Sequence, residues 1–169
     1  MTDTYLKRDP STGRIAEQVA TVTGGTVSQA GQIVGLDGSG RLDPTIMPVG
    51  VVADTYSGTA GEALTAGDLV YINSSGNVAR ASANAGGNDA MGFVLTSVSN
   101  AAQALVYLEG RNTSLSGLTV GARYYLSDTT PGGITDTPVT GSGKRHQYVG
   151  KAITTTSLSF EADDGILLA

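Results

Sequence analysis

The sequence predicts a mainly β protein: a compact β-barrel or sandwich body built from two similar β units and preceded by an extended N-terminal arm. Three observations carry this expectation. First, one stretch occurs twice. Leu64-Thr-Ala-Gly-Asp-Leu-Val-Tyr-Ile72 is echoed by Leu118-Thr-Val-Gly-Ala-Arg-Tyr-Tyr-Leu126, and the parts that follow keep the same order. A glycine turn comes next (Gly76-Asn-Val78; Gly133-Ile134), then a polar spacer, then an apolar run around one glycine (Ala90-Met-Gly-Phe-Val-Leu95; Tyr148-Val-Gly-Lys-Ala-Ile153). Each copy closes on an alternating strand that ends in Glu109 or Glu161. The units span about residues 64–109 and 118–161, and their offset drifts with spacer length, as in an ancient or convergent repeat and not in a tandem array.

Second, the chain holds 24 glycines in 169 residues, about twice the usual share of about 7%. Third, only 15% of residues are charged, while Thr, Ser, Val and Ala fill much of the rest. That is the composition of short strands joined by tight turns. The length suits one domain with an appendage, able to bury roughly 70% of its unfolded surface.

In order along the chain, residues 1–50 form the arm and 51–169 the body. Asp9-Pro-Ser-Thr-Gly13 is a turn. Ile15-Ala-Glu-Gln-Val-Ala20 reads as one or two helical turns, too short to stand alone. Ile33-Val-Gly-Leu36 is a short apolar strand and Asp37-Gly-Ser-Gly40 a hairpin-type turn. Pro44 and Pro48 each remove a ladder donor, so the intervening segment is extended and lies on an edge. Leu42, Ile46, Met47 and Val49 need a surface to cover them, and four such side chains gain about 6–12 kcal/mol gross on burial. Either a neighbouring subunit or the protein's own body would serve. In the body, Leu69–Ile72 is a strand buried on both faces, Ala79–Asn88 a small-residue loop, and Tyr56 lies in a loop. Tyr71, Tyr107, Tyr124 and Tyr125 are core or cross-strand residues. The apolar tail after Gly165 forms a short last strand.

Composition and motifs exclude several functions. The net charge of −5, with ten scattered Lys and Arg, argues against nucleic acid. No apolar run approaches the about 20 residues of a membrane span, and the N-terminal residues lack the apolar core of a secretory signal. There is no Cys, hence neither disulfide nor thiolate site. Gly141-Ser-Gly-Lys144 is not a phosphate loop, because Pro138 stands where its first glycine belongs and Arg145 where Ser or Thr would bind magnesium. Asp37-Gly-Ser-Gly-Arg41-Leu-Asp43 fails as a calcium loop at Arg41. His146, the one imidazole, sits beside Lys144 and Arg145 and reads as a solvated loop residue. No Gly-x-Ser-x-Gly elbow supports a serine nucleophile. Glu62 with Asp68, or Asp163 with Asp164, would serve glycoside hydrolysis only across a cleft. The Asn73 and Asn112 sequons matter only on a secreted chain. The expectation is no enzyme and no catalytic, cofactor or metal site.

The run Gly31-Gln-Ile-Val-Gly-Leu-Asp-Gly-Ser-Gly-Arg-Leu-Asp43-Pro-Thr-Ile-Met-Pro48 resembles a linker of tailed-bacteriophage structural proteins. Gly61-Glu-Ala-Leu-Thr-Ala-Gly-Asp68 with Ala90-Met-Gly-Phe-Val94 is similar to small head-decoration (cement) proteins. Leu118-Thr-Val-Gly-Ala-Arg-Tyr-Tyr125 with Pro131-Gly-Gly-Ile-Thr135 resembles modules of head and tail appendages. The likeness covers residues 31–161. It implies a capsid decoration protein on the virion exterior, made in the host cytoplasm, whose partners are the major capsid protein and copies of itself, as a homotrimer. The contact residues it suggests are Ile33, Leu36, Leu42, Ile46, Met47 and Val49. A trimeric tail-fibre or baseplate component is the alternative, followed by a host-surface or carbohydrate-binding β module, which would need exposed aromatic side chains.

Overall fold

The computed structural model describes residues 4–9, 11–22, 32–36, 38, 40–43, 46, 54–84 and 86–169. No described residue lies in an α-helix, and every named sheet is antiparallel, as the mainly β expectation requires. The chain folds as two compact units, Met1–Val52 and Ala53–Ala169.

In the first unit, β1 (Thr4–Arg8) pairs with β2 (Ile15–Val19), Thr4 opposite Val19 and Arg8 opposite Ile15. The helical turns expected over residues 15–20 are therefore a strand. The cause lies in the reversal before it. The Asp9 carboxylate accepts hydrogen bonds from the Ser11 amide (2.8 Å), the Ser11 hydroxyl (2.7 Å) and the Thr12 hydroxyl (2.8 Å). These bonds, those of Ser11 foremost, bring its pKa down to about 2. The turn so fixed delivers five residues to a ready partner, whereas a helix of that length has none. Downstream, the strand expected over Ile33–Leu36 is reduced to one parallel bridge, Thr21 with Val34. The plug falls partly outside the described residues: Leu42 is exposed and Ile46 half-buried, while Met47, Val49, Pro44, Pro48 and two positions of the 37–40 turn lie beyond description.

The second unit holds two five-stranded sheets. One runs in the order β3 (Thr55–Thr59), β7 (Gln103–Tyr107), β6 (Gly92–Val94), β4 (Leu69–Ile72), β5 (Val78–Arg80). The other runs β8 (Gly110–Asn112), β13 (Leu158–Phe160), β12 (Tyr148–Ala152), β9 (Arg123–Leu126), β10 (Ile134–Thr135). The order is the same once the copies are matched, β4 to β9, β5 to β10, β6 to β12 and β7 to β13. Each sheet adds the strand that precedes its copy, β3 or β8. β11 (Arg145–His146) is extra to the second copy and pairs with β14 (Ile166–Leu167), the expected tail strand. Neither sheet closes on itself, so the body is not a barrel.

The copies agree down to single bonds. The Gly67 amide donates to Val94 O (2.8 Å) as Gly121 does to Ala152 O (2.9 Å). The Leu64 amide donates to Val98 O (2.8 Å) as Leu118 does to Thr155 O (3.0 Å). Gly92 pairs with Val70, and Gly150 with the matching Tyr124. A Cβ on Gly92 would stand 2.6 Å from Tyr107 O, and one on Gly150 only 2.0 Å from Ser159 O. Glycine is required at both places because the neighbouring strand lies where a side chain would start.

Two cores follow. Leu69 and Phe93 join a cluster shared with Leu126, Val149, Leu158 and Phe160 of the other sheet. Phe93 meets Phe160 edge-on at 5.3 Å and stacks on Tyr107 at 5.5 Å. The alternate residues Val70 and Val94 join a separate cluster with Leu64, Val78 and Val106. The centre of the first sheet, β4 and β6, is thus covered on both faces, as Leu69–Ile72 predicts, while β3 and β7 keep exposed positions such as Leu105. Tyr56, expected in a loop, lies on β3 and packs against this smaller cluster. The halves are also joined by two buried amides. The Asn112 side chain donates to Gly67 O (2.8 Å), and Gln147 exchanges hydrogen bonds with both backbone groups of Ala90 (2.8 Å each).

Candidate functional site

The polar groups singled out in the sequence are mostly engaged in holding the body together. Arg80 donates through Nε (3.0 Å) and Nη2 (2.6 Å) to Oε2 of Glu62, and its backbone amide donates to Oε1 (2.9 Å). Desolvation alone would push Glu62 up, but these hydrogen bonds outweigh it and hold its carboxyl below the ordinary range. Asp68 instead accepts from the Thr65 amide (2.8 Å), and burial pushes its carboxyl up. Lys144-Arg145-His146, expected as a solvated loop, is half-buried and enters β11. Lys144 pairs with Asp128 (2.6 Å), Arg145 with Asp89 (2.9 Å), and the His146 ring lies 5.1 Å from that of Tyr125. Among the described residues no three His, Asp or Glu side chains come together in a way that would hold a metal ion.

What remains are two surfaces. The first is on the N-terminal unit. By register, Thr4, Leu6 and Arg8 share a face with Val19, Glu17 and Ile15. Leu6 is 74% and Ile15 72% exposed, with Val19 exposed beside them. On the opposite face Tyr5 Oη accepts from the Ile33 amide (3.2 Å), so the 32–36 segment lies on that side. Ile33, Leu36 and Leu42, named from the sequence as contact residues, are all exposed. The sequence reading missed Leu6, Ile15 and Val19. The signal was present as two five-residue segments flanking an Asp-Pro-x-x-Gly turn.

The second surface is the outer face of the second sheet. Pairing places Arg111, Ser159, Lys151 and Arg123 in one row across β8, β13, β12 and β9. The matching row of the first sheet is Thr55, Tyr107, Phe93 and Leu69. The other Lys and Arg of the body, Arg80, Lys144 and Arg145, all have carboxylate partners. Arg111, Lys151 and Arg123 have no ion pair among the described residues; Arg111 donates only to the Ser157 hydroxyl (3.2 Å). In the next row Tyr148 pairs with Tyr125, ring centroids 6.1 Å apart, and the Arg123 guanidinium lies 5.8 Å from the Tyr148 ring centre. Burial, with the nearby Glu161 adding to it, pushes the Tyr148 hydroxyl up.

Compared with known proteins, the chain matches no protein-family model and no curated protein.

Proposed function

We propose that this chain is a structural component of a bacteriophage virion, a head-decoration protein whose N-terminal unit docks on the capsid shell or on a neighbouring copy. One observation carries the reading: Leu6, Ile15 and Val19 line one exposed face of a hairpin that has two strands among the described residues, with Ile33, Leu36 and Leu42 exposed in the same unit. A two-stranded ribbon is marginal in water by itself, and an apolar face on such a ribbon gains most when something covers it. The second unit, by contrast, has its own cores, and its buried Asn112 and Gln147 side-chain amides are hydrogen-bonded. An attachment element on the same chain as an acidic β unit is what a shell-bracing protein requires. Each contact is modest, and a lattice of linked copies strengthens them by avidity.

The test is co-sedimentation with empty capsids of the phage that encodes the chain. Wild type is expected to pellet with capsids, and the Leu6→Ser/Ile15→Ser/Val19→Ser variant to stay in the supernatant while its body unfolds at the wild-type midpoint. Undiminished pelleting of the triple variant, or wild type that binds isolated tails and not heads, contradicts the reading.

A further inference from the structure

We propose that the outer face of the second sheet is a binding site for a linear acidic polysaccharide, one whose sugar rings carry carboxylate or sulfate groups. The observation is the row Arg111–Ser159–Lys151–Arg123. It gathers the cations of the body that have no carboxylate partner among the described residues, on a chain whose net charge is −5. Neighbouring strands lie about 4.8 Å apart, so Arg111 and Arg123 stand about 14 Å from each other, with Lys151 between them. Such a row is charge-complementary to an extended polymer lying across the strands and presenting an anion every ring or two. Beside it, Tyr148 and Tyr125 offer the flanks of two rings with hydroxyl tips, the amphipathic surface against which a sugar ring packs. Arg123 holds Tyr148 from the cationic side.

Other occupants fit less well. The middle of a protein–protein interface is depleted of Lys and rich in large apolar anchors, whereas the middle of this face is Lys151 and Ser159. Duplex nucleic acid calls for many phosphate contacts, and Glu161 and Asp163, close to Tyr148, would repel a dense polyanion at that edge. A sparsely charged chain is accommodated by confining its anions to the row. The inference is independent of the capsid reading, since it uses none of the N-terminal residues.

The experiment is affinity retention of the full chain on immobilised polygalacturonate, with a carboxylate on each ring, and on immobilised kappa-carrageenan, with a sulfate on every second ring, with immobilised dextran as the neutral control. Retention on either anionic column, released by salt and absent on dextran, supports the site and tells carboxylate from sulfate. The Arg111→Ser/Lys151→Ser/Arg123→Ser variant, altered only at exposed positions, is expected to bind at least about tenfold more weakly with an unchanged unfolding midpoint. Tyr148→Leu should weaken binding severalfold without altering its salt dependence, a result that mere charge attraction would not give. No retention on either column, equal retention of the triple variant, or displacement by polyglutamate or duplex DNA as effective as by the free glycan would overturn the proposal.

Discussion

The two five-stranded sheets share strand order, register and turn bonds, yet one cross-strand row reads Thr55–Tyr107–Phe93–Leu69 in the first and Arg111–Ser159–Lys151–Arg123 in the second. The alternate positions tell the opposite story: Val70, Val94 and Val106 are matched by Tyr124, Ala152 and Leu158, and all are buried, the first three in the smaller cluster and the others in the shared core. What the copies must have in common is therefore a buried alternate row, the glycine that lets two strands approach, and the turn bonds. The outer row follows from what it meets. In the first sheet Tyr107, Phe93 and Leu69 meet the shared core and are apolar, while Thr55 at the edge is exposed; in the second the row meets solvent and is free to carry charge.

The comparison breaks first at the shared glycines. Gly150→Ala should cost about 3 kcal/mol or more, since the new Cβ would sit 2.0 Å from Ser159 O at a φ of 147°. Gly92→Ala should cost about 1–3 kcal/mol, its nearest backbone contact being 2.6 Å. Urea unfolding of the two variants gives both values, and a neutral Gly150→Ala would show that the matched register is not what requires glycine. Next, Asn112→Ala should cost about 1–3 kcal/mol in the same assay, because Gly67 O would lose a buried donor.

The smallest effect is electrostatic and separates the halves by pH. Glu62 is held below its ordinary value of 4.5 in the folded state. Its pairing with Arg80 therefore stabilises the protein above that value and is lost as pH falls through the lower folded value. Both side chains are more than a third exposed, so screening limits the difference between wild type and Glu62→Gln to under about 1 kcal/mol. Asp68 works in the opposite sense, because its pKa is raised on folding. Thermal midpoints of wild type, Glu62→Gln and Asp68→Asn across the acid range should diverge in these directions.

Much of the body was legible in the sequence. The Leu-Thr-x-Gly turns and the glycine inside each apolar run recur at matched places, since each answers a local backbone requirement; the Glu that ends each copy recurs too. Residues 15–19 misled because Ile15 and Val19 fit a helical spacing of four as well as strand alternation, and only the Asp9 turn decides between them. Lys144-Arg145-His146 hid a strand behind polarity, as β11 is two residues long and takes its partner from the tail. Tyr56 sits among Gly, Ser and Thr, the composition of a loop, yet pairs along all of β7. The cationic row could not be read at all, because Arg111, Arg123 and Lys151 are far apart in sequence and only strand register collects them. Of the residues the sequence offers as contacts, Ile33, Leu36 and Leu42 are exposed, whereas Leu6, Ile15 and Val19 on the hairpin carry no sequence motif that singles them out.

That the matched row is apolar in the first sheet because it is buried there, and charged in the second because it is exposed, is tested most simply by a reciprocal exchange at one pair. Phe93→Lys puts the second sheet's residue into the first, and Lys151→Phe does the reverse. Urea unfolding followed by near-ultraviolet circular dichroism should show Phe93→Lys destabilised by more than about 4 kcal/mol and Lys151→Phe within about 0.5 kcal/mol of wild type. Equal losses in the two variants would contradict the account.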